Sequence, residues 1–435
     1  MPKSVSLTRR QVLALGGSAL FLRTLEGWAQ GEALRIGAVL PSRPGSEWEA
    51  RAAEALRMGL EMARDEYGEN AALLGQRLDV VLREARDREA ASQEAERLIR
   101  QEEVYALVGG LGGQAEALMG VAERLRVPFL NVGDPSDRLR NEGCRRYAFH
   151  LEASAAMYLD ALAAWFVQAG FRSWFLVYPE GREGQALYQR ARKSLLERHF
   201  GAREVGRAVV APARPDFRPV LEALRRTRPQ AVLLLLGAEA QLSFLAQYEP
   251  LGLPAQVTGF PYPETQTRAF FAASRARARR AGAGYRAVLW EAKLDAYGAR
   301  ELNARFLERY RRPMDPSAWA GYQSVKILYE AAAFGGGPEP ARVRAYLENP
   351  QTVFDVHKGI GVSFRPWDHQ LRQSLYLVKV SPEAQGAWDL ATLVGELPAI
   401  YRPGTDPVER LDQIGDLRRE SRCRFGGGGW GATAG

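Results

Sequence analysis

Two turns rich in glycine and polar residues carry the part of this sequence that is best suited to bind a small molecule. The first turn spans residues 109–113, contains four glycines and directly follows the apolar run 105–108. Glycine lets the backbone turn tightly with free N–H groups, and a helix predicted from near Gln114 directs its N-terminal N–H groups at the same turn. Gly112 and Gly113 are therefore candidate contacts for an anionic group of a ligand.

The second turn follows the predicted strand 128–132 and reads Gly133-Asp134-Pro135-Ser136. Parallel strands end at one edge of their sheet, where open α/β folds hold their ligands. Gly133, Asp134 and Pro135 are therefore candidate contacts too. Two interpretations of Asp134 stay open, because its carboxylate can contact a ligand or accept hydrogen bonds within its own Asx turn.

The segment 110–115 also fits a loose G-x-G-x-x-A dinucleotide fingerprint, which would indicate an enzyme. The segment follows the third predicted strand rather than the first, and the sequence shows no Ser-His-Asp, metal-ligand or paired-carboxylate arrangement. Its four histidines are scattered, and its two cysteines, Cys144 and Cys423, have no zinc-site spacing. We predict that the protein binds no cofactor and is not an enzyme.

Strands and helices alternate twice along the chain, which predicts an α/β fold of two doubly wound parallel sheets with right-handed crossovers. The predicted strands cover residues 34–40, 78–82, 105–108, 128–132 and 147–151 in the first unit, and 174–178, 205–210, 231–236 and 256–259 in the second. A strand over 286–291 and several helices follow. Strands over 362–364, 375–380 and 388–394, joined by turns, complete the second unit, and a turn-rich extension ends in a glycine run that should be flexible.

The composition and charge of the chain are those of a globular protein and argue against nucleic acid as a partner. The 435 residues are 46% hydrophobic and 25% charged, which is ordinary for a globular protein with two or three domains. The net charge of +8 is not gathered into a basic face with interleaved aromatic residues, so nucleic acid is a poor candidate partner.

The first 29 residues resemble an export signal of the twin-arginine type, with Arg9 and Arg10 before the weakly apolar run 12–22 and a cleavage site after Ala29. A disordered basic N-terminus is the alternative. The apolar run is too short to span a bilayer, and no other stretch is suitable. Export would permit a disulfide between Cys144 and Cys423, with two unpaired thiols as the alternative.

Four motifs share a characteristic order and spacing. They are Arg35-Ile36-Gly37, Leu107-Val108-Gly109-Gly110, Pro128-Phe129-Leu130-Asn131-Val132-Gly133, and a helical signature with Phe306, Tyr310, Pro316, Trp319, Ala320, Tyr322 and Val325. With the export signal and the two α/β units, they resemble the type I periplasmic solute-binding proteins of ABC transporters, in the leucine/isoleucine/valine-binding branch. The segment 358–373 is similar to a subgroup associated with pyrroloquinoline-quinone-dependent alcohol oxidation.

The resemblance implies two lobes, joined by about three crossings near residues 150, 291 and 350, that close over a ligand. Residues 1–29 would be the export signal. Lobe I would comprise residues 32–149 and 292–350, lobe II residues 150–291 and 351–396, and residues 397–435 would form an extension. It also implies a membrane permease as partner, a periplasmic location and a monomer. A periplasmic sensor that signals to a membrane partner would share these features and is the alternative function.

Residues of the cleft depart from the amino-acid-binding members. Gly112 and Gly113 stand where a ligand-binding hydroxyl is expected, and Asp134 and Pro135 where a small residue and a threonine are expected. Phe260-Pro261-Tyr262 replaces the segment that carries an ammonium-binding acid. Unsatisfied ends of a buried amino acid are costly, so we expect a small neutral or aromatic ligand instead.

Further candidate contacts come from the loops around the predicted cleft. Aromatic candidates are Trp48, Phe260 and Tyr262, which can stack on a ligand, and Tyr178, which ends a strand of the second unit. Arg182 can orient a polar group of the ligand. The alternatives are that Trp48 packs on its own helix, that Phe260 and Tyr262 pack at the rim, and that Arg182 is a solvated surface charge.

Overall fold

The computed structural model describes residues 33–42, 45–199, 201–212, 215–399 and 404–425. The predicted export signal and the glycine run at the C-terminus lie outside the described residues. Within the described ranges, none of the helices has the length and apolar composition that a bilayer-spanning segment requires.

Five parallel strands form the sheet of the first lobe, lobe I. They are β1 (Ala33–Pro41), β2 (Arg77–Ala85), β3 (Ala106–Gly109), β4 (Phe129–Asn131) and β5 (Ala148–His150), with helices α1 (Glu47–Leu73), α2 (Arg88–Gln101) and α3 (Ala115–Leu125) between them. The strand order is β2-β1-β3-β4-β5. Short polar side chains start the helices: the Ser46 hydroxyl accepts a hydrogen bond from the Glu49 N–H, and Asp87 caps α2 in the same way.

Four parallel strands form the sheet of the second lobe, lobe II. They are β6 (Ser173–Pro179), β7 (Arg203–Val210), β8 (Ala231–Leu234) and β9 (Gln256–Gly259), with helices α4 (Ala155–Gln168), α5 (Arg182–Arg192), α6 (Arg218–Thr227), α7 (Ala238–Tyr248) and α8 (Arg268–Arg277). The order is β7-β6-β8-β9. Ser154 caps α4 as its position in the sequence suggests. The predicted two-lobed α/β fold is confirmed.

The rest of the chain adds a small antiparallel sheet and returns to lobe I. The elements are β10 (Tyr285–Val288), β11 (Leu375–Val380), β12 (Ala391–Leu397), α9 (Ala299–Tyr310), α10 (Pro316–Phe334), α11 (Pro340–Glu348) and α12 (Pro407–Leu411). The strand predicted over 362–364 is wrong, since only an isolated bridge between Phe364 and Leu371 forms there. Asp315 precedes α10 but does not cap it, because its Oδ1 accepts a hydrogen bond from the Arg268 N–H instead.

Helices α9 and α10 pack on α1, which assigns them to lobe I. The Tyr310 hydroxyl donates to the Met58 carbonyl at 2.9 Å. Gly59 lets α10 approach closely, because a Cβ atom at this position would lie 1.9 Å from the Ala318 carbonyl oxygen. The chain therefore passes between the lobes after β5, after β10 and after α11, while the exact lobe bounds stay predictions.

Candidate functional site

A cavity of about 1050 Å³ lies between the two lobes. Segments 111–113 and 133–139 line it from lobe I, and residues 186–187, 189–190 and 262–264 line it from lobe II. A cavity of this size between domains, bounded by the carboxyl ends of parallel strands, is a typical place for a small ligand.

The glycine turn of lobe I has the geometry that its sequence indicates. Gly112 and Gly113 line the cavity, with φ angles of +64° and +67° that favour glycine. A Cβ atom on Gly112 would lie 2.3 Å from Oε1 of Glu49, so a larger residue would displace that carboxylate. Arg88 holds the far side of the turn by donating from Nε to the Gly113 carbonyl at 2.9 Å.

The second turn is organised by Asn131 at the end of β4. Its Oδ1 accepts hydrogen bonds from the N–H groups of Gly133 and Asp134, and its Nδ2 donates to the Asp134 carbonyl at 2.8 Å. Asp134 closes an Asx turn by accepting from the Ser136 N–H at 2.9 Å, yet it also lines the cavity together with Pro135. Asp134 therefore forms its own Asx turn and is also placed where it can contact a ligand.

Aromatic residues from lobe II form the opposite side of the cavity. The Phe260 ring is buried and packs against the rings of Tyr158 and Tyr262, with centroid distances of 6.1 and 4.6 Å. Tyr262 is half-buried and Phe260 lies behind it, and both line the cavity. Arg182 also lines it as the exposed first residue of α5.

Several acidic residues that the sequence reasoning missed line the cavity, and Glu49 and Glu264 are two of them. Glu49 stands on the first turn of α1, and Glu264 lies two residues beyond the aromatic segment of lobe II. Asp134, Glu49 and Glu264 form no ion pair with any described residue. Burial raises the pKa of Asp134, and burial together with Glu49 raises the pKa of Glu264 to about 7. A ligand that donates hydrogen bonds would satisfy these carboxylates.

The raised pKa of Glu264 predicts a pH-dependent stability. A carboxyl that titrates near pH 7 in the folded chain and near 4.5 when unfolded destabilises the folded protein as pH rises through this range. We expect Glu264→Gln to match the wild type at pH 4 and to exceed it in unfolding free energy by about 1–3 kcal/mol at pH 8. Urea denaturation of the ligand-free protein at both pH values measures the difference.

Glu116→Gln is the control for this comparison. Glu116 accepts hydrogen bonds from both Nη atoms of Arg138, which lower the pKa of its carboxyl. Glu116→Gln should slightly lower the free energy of unfolding at pH 8, whereas Glu264→Gln should raise it. Equal stability of wild type and Glu264→Gln at pH 8 would show that the carboxylate is compensated in the folded chain.

Two sequence-predicted residues do not line the cavity. Tyr178 turns its ring onto Tyr188, with the two centroids 4.3 Å apart. Trp48 is buried, donates from Nε1 to Oε1 of Glu239 at 2.8 Å, and meets Phe270 edge to face. Its partners belong to lobe II and not to its own helix, so Trp48 joins the lobes beside the cavity. A ligand contact for either residue stays a prediction.

The C-terminal extension closes one end of the cavity. Asp416, Glu420 and Arg422 line this end, and Cys423 forms a disulfide with Cys144 of lobe I. Burial, with a contribution from Asp416, raises the pKa of Asp137 here to about 6. Within the described ranges, no group of three or more histidine, cysteine or acidic side chains is placed to hold a metal ion.

A family model described as periplasmic binding protein matches residues 33–387, which is most of the chain. The chain belongs to this family. The match covers lobe I and most of lobe II of the binding protein, and it includes every lining residue named above except those of the extension. No curated protein matches the sequence.

Solved structures share the fold of this binding protein at low sequence identity. A solute-binding protein of an ABC transporter from Rhodopseudomonas palustris BisB5, in complex with 3,4-dihydroxybenzoic acid, has a TM-score of 0.69 at 18% identity, over 86% of this chain and 99% of that one. A second R. palustris solute-binding protein, in complex with benzoate, has a TM-score of 0.67 at 18% identity, over 84% and 96%. A leucine-binding protein from Thermotoga maritima has a TM-score of 0.68 at 15% identity, over 83% and 98%.

Proposed function

We propose that the protein is the periplasmic receptor of an ABC importer and binds a small solute between its lobes. The supporting observation is the cavity, which takes lining residues from both lobes. A solute that contacts Gly112 and Asp134 on one side and Tyr262 on the other binds the closed arrangement more tightly than an open one. Its binding would therefore shift the population toward closure, which a membrane permease can recognise. Export by the N-terminal signal is part of this proposal.

The proposed ligand is a small aromatic or neutral compound with hydrogen-bond donors. Tyr262 offers an aromatic face, while Asp134, Glu49 and Glu264 offer acceptors. A benzoate-type carboxylate, as in two of the related structures, would face these acidic groups. Of the cations that also line the cavity, Arg138, Arg190 and Lys193 already form ion pairs with acidic side chains of the protein. The association with pyrroloquinoline-quinone-dependent alcohol oxidation stays a prediction from the segment 358–373.

Free branched-chain amino acids are poor ligands on this reasoning. Glu264 can accept from an ammonium group, but Asp134 repels the α-carboxylate and the glycine turn offers no hydroxyl to it. We expect isothermal titration calorimetry to detect no binding of leucine, isoleucine or valine at micromolar concentration. A micromolar complex with any of them would contradict the ligand class while leaving the receptor role intact.

A thermal-shift screen tests the receptor role itself. The panel contains amino acids, short alcohols, aldehydes, carboxylates and aromatic acids, with matched neutral and charged members. We expect at least one compound to raise the melting temperature in a concentration-dependent way, because a ligand that binds only the folded protein stabilises it. A compound whose effect survives substitution of Gly112 by a bulky residue would bind elsewhere.

A further inference from the structure

The C-terminal extension is placed to act as part of the ligand site. Residues 404–425, here called the strap, begin after the last residue that the family model matches, which is residue 387. We propose that the strap is the third side of the ligand cavity and a tether between the lobes that limits how far they separate. The inference depends on the proposed function in one respect, because it needs two lobes that move relative to each other.

The strap is bonded covalently to lobe I. Cys423 forms a disulfide with Cys144, which follows β4 in the loop that borders the cavity. Asn141 in the same loop donates from Nδ2 to Oδ2 of Asp416 at 3.0 Å and accepts at Oδ1 from the Arg422 N–H at 2.9 Å. The end of the strap therefore moves with lobe I.

The middle of the strap is held by lobe II through charges. Glu420 forms ion pairs with Lys193, at 3.0 Å, and with Arg198, both on the helical turns that continue α5. Arg198 also donates to the Gly415 carbonyl at 2.7 Å, and the Gly415 N–H donates to the fully buried carboxylate of Asp160 at 2.9 Å. These contacts are non-covalent and can break.

The start of the strap is fixed near the crossings between the lobes. Asp412 accepts hydrogen bonds at Oδ1 from Nε of Arg365 and from Nε of Arg372, both at 2.9 Å. This region of the chain lies beside β5, because Gln370 forms a bridge with His150. The strap thus runs from the crossings past lobe II to its disulfide on lobe I, and separation of the lobes at the cavity must stretch it or release its ion pairs.

Three strap residues would meet a bound solute at this end of the cavity. Asp416 and Glu420 bring negative charge and Arg422 brings positive charge, and all three are held by the contacts described above. A chain cut back to the family-matched residues would lack this side of the cavity. When the lobes separate, the ion pairs between the strap and lobe II should break first, because the disulfide to lobe I is covalent.

Small-angle X-ray scattering of the ligand-free full chain tests the tether. A compact chain of this size has a radius of gyration of about 22 Å. We expect Glu420→Lys, which repels Lys193 and Arg198, and Cys423→Ser, which frees the end of the strap, to raise this value by on the order of 1 Å through wider opening. Glu383→Lys is the matched control, because its ion pair with Arg279 is exposed and lies within lobe II; it should leave the value unchanged.

Two outcomes decide the proposal. A larger radius for Glu420→Lys and Cys423→Ser, with a cooperative thermal melt and an unchanged control, supports the tether. The wild-type radius in Glu420→Lys overturns it, even if Cys423→Ser proves unstable, because the charge reversal leaves the disulfide in place. Neither outcome depends on a ligand, so a failed thermal-shift screen would count against the receptor role and not against the tether.

Discussion

Replacing Arg268 with methionine should lower the free energy of unfolding by about 3–5 kcal/mol. Arg268 donates from Nη2 to Oε1 of Glu291, whose side chain is fully buried. Removing the guanidinium leaves that carboxylate in the interior without its charge partner, and a second acid, Asp315, lies close by. Burial raises the pKa of Asp315 to about 6, which indicates how poorly this region accommodates negative charge.

This ion pair lies where the chain crosses between the two lobes, so its loss should affect how the lobes are joined. Arg268 begins α8 in lobe II, Glu291 stands where the chain leaves that lobe, and Asp315 precedes α10 of lobe I. The Arg268 N–H donates to Oδ1 of Asp315 at 3.0 Å, so the cluster joins the two lobes at a crossing. We therefore expect Arg268→Met to loosen the crossing as well as to destabilise the fold.

Urea denaturation of matched variants measures the effect. Arg279→Met removes an arginine whose ion pair with Glu383 is exposed, with 72% and 74% of the two side chains accessible, and should cost less than about 1 kcal/mol. The double variant Arg268→Met/Glu291→Gln should recover part of the lost stability, because the carboxylate that loses its partner in the single variant is then removed as well. Equal losses of unfolding free energy in Arg268→Met and Arg279→Met would show that the buried ion pair contributes no more to stability than the exposed one, contrary to our prediction.

Replacing Trp48 with alanine should cost about 3 kcal/mol of unfolding free energy in the ligand-free protein. The indole is 7% exposed, and it packs among lobe II residues that include Ala238, Leu242 and Phe270. Its Nε1–H donates to Glu239, so the truncation removes apolar packing and a hydrogen bond together. The sequence left two interpretations of Trp48 open, and stacking on a ligand, the first of them, would leave the ligand-free stability nearly unchanged.

The melting temperatures of two further variants separate these interpretations. Trp48→Phe keeps most of the apolar volume and should lose less stability than Trp48→Ala. Trp388→Ala removes a tryptophan that is 41% exposed and should change the melting temperature little. If ligand-free Trp48→Ala proves as stable as the wild type, the packing role is contradicted and the interpretation of Trp48 as a ligand contact is supported.

The position of the candidate site could be predicted from the sequence because local signals determine it. Glycine at Gly112 and Gly113, and the Gly133-Asp134-Pro135 turn, follow apolar runs that form buried parallel strands. Strand ends meet at one edge of a sheet, so the two turns had to lie together. The same reasoning places Phe260 and Tyr262 at the end of β9.

Side-chain direction and long-range contacts could not be predicted in this way. Tyr178 ends a strand at the correct edge, yet its ring points to Tyr188, which no pattern in the sequence reveals. Glu264 lies in the short helical turn Pro263–Gln266, and no signal in the sequence indicates that this residue lines the cavity. The strap is fixed by a bond between residues 279 positions apart, and a pair of cysteines alone left free thiols as an alternative.

Hydrogen exchange measured by mass spectrometry, with and without a stabilising compound from the thermal-shift screen, tests the central claim most directly. A solute held between the lobes should slow exchange in segments 111–113 and 133–136 of lobe I and in segment 260–264 of lobe II at the same time. Protection confined to one lobe, or to a surface away from the cavity, would contradict binding by closure of the two lobes.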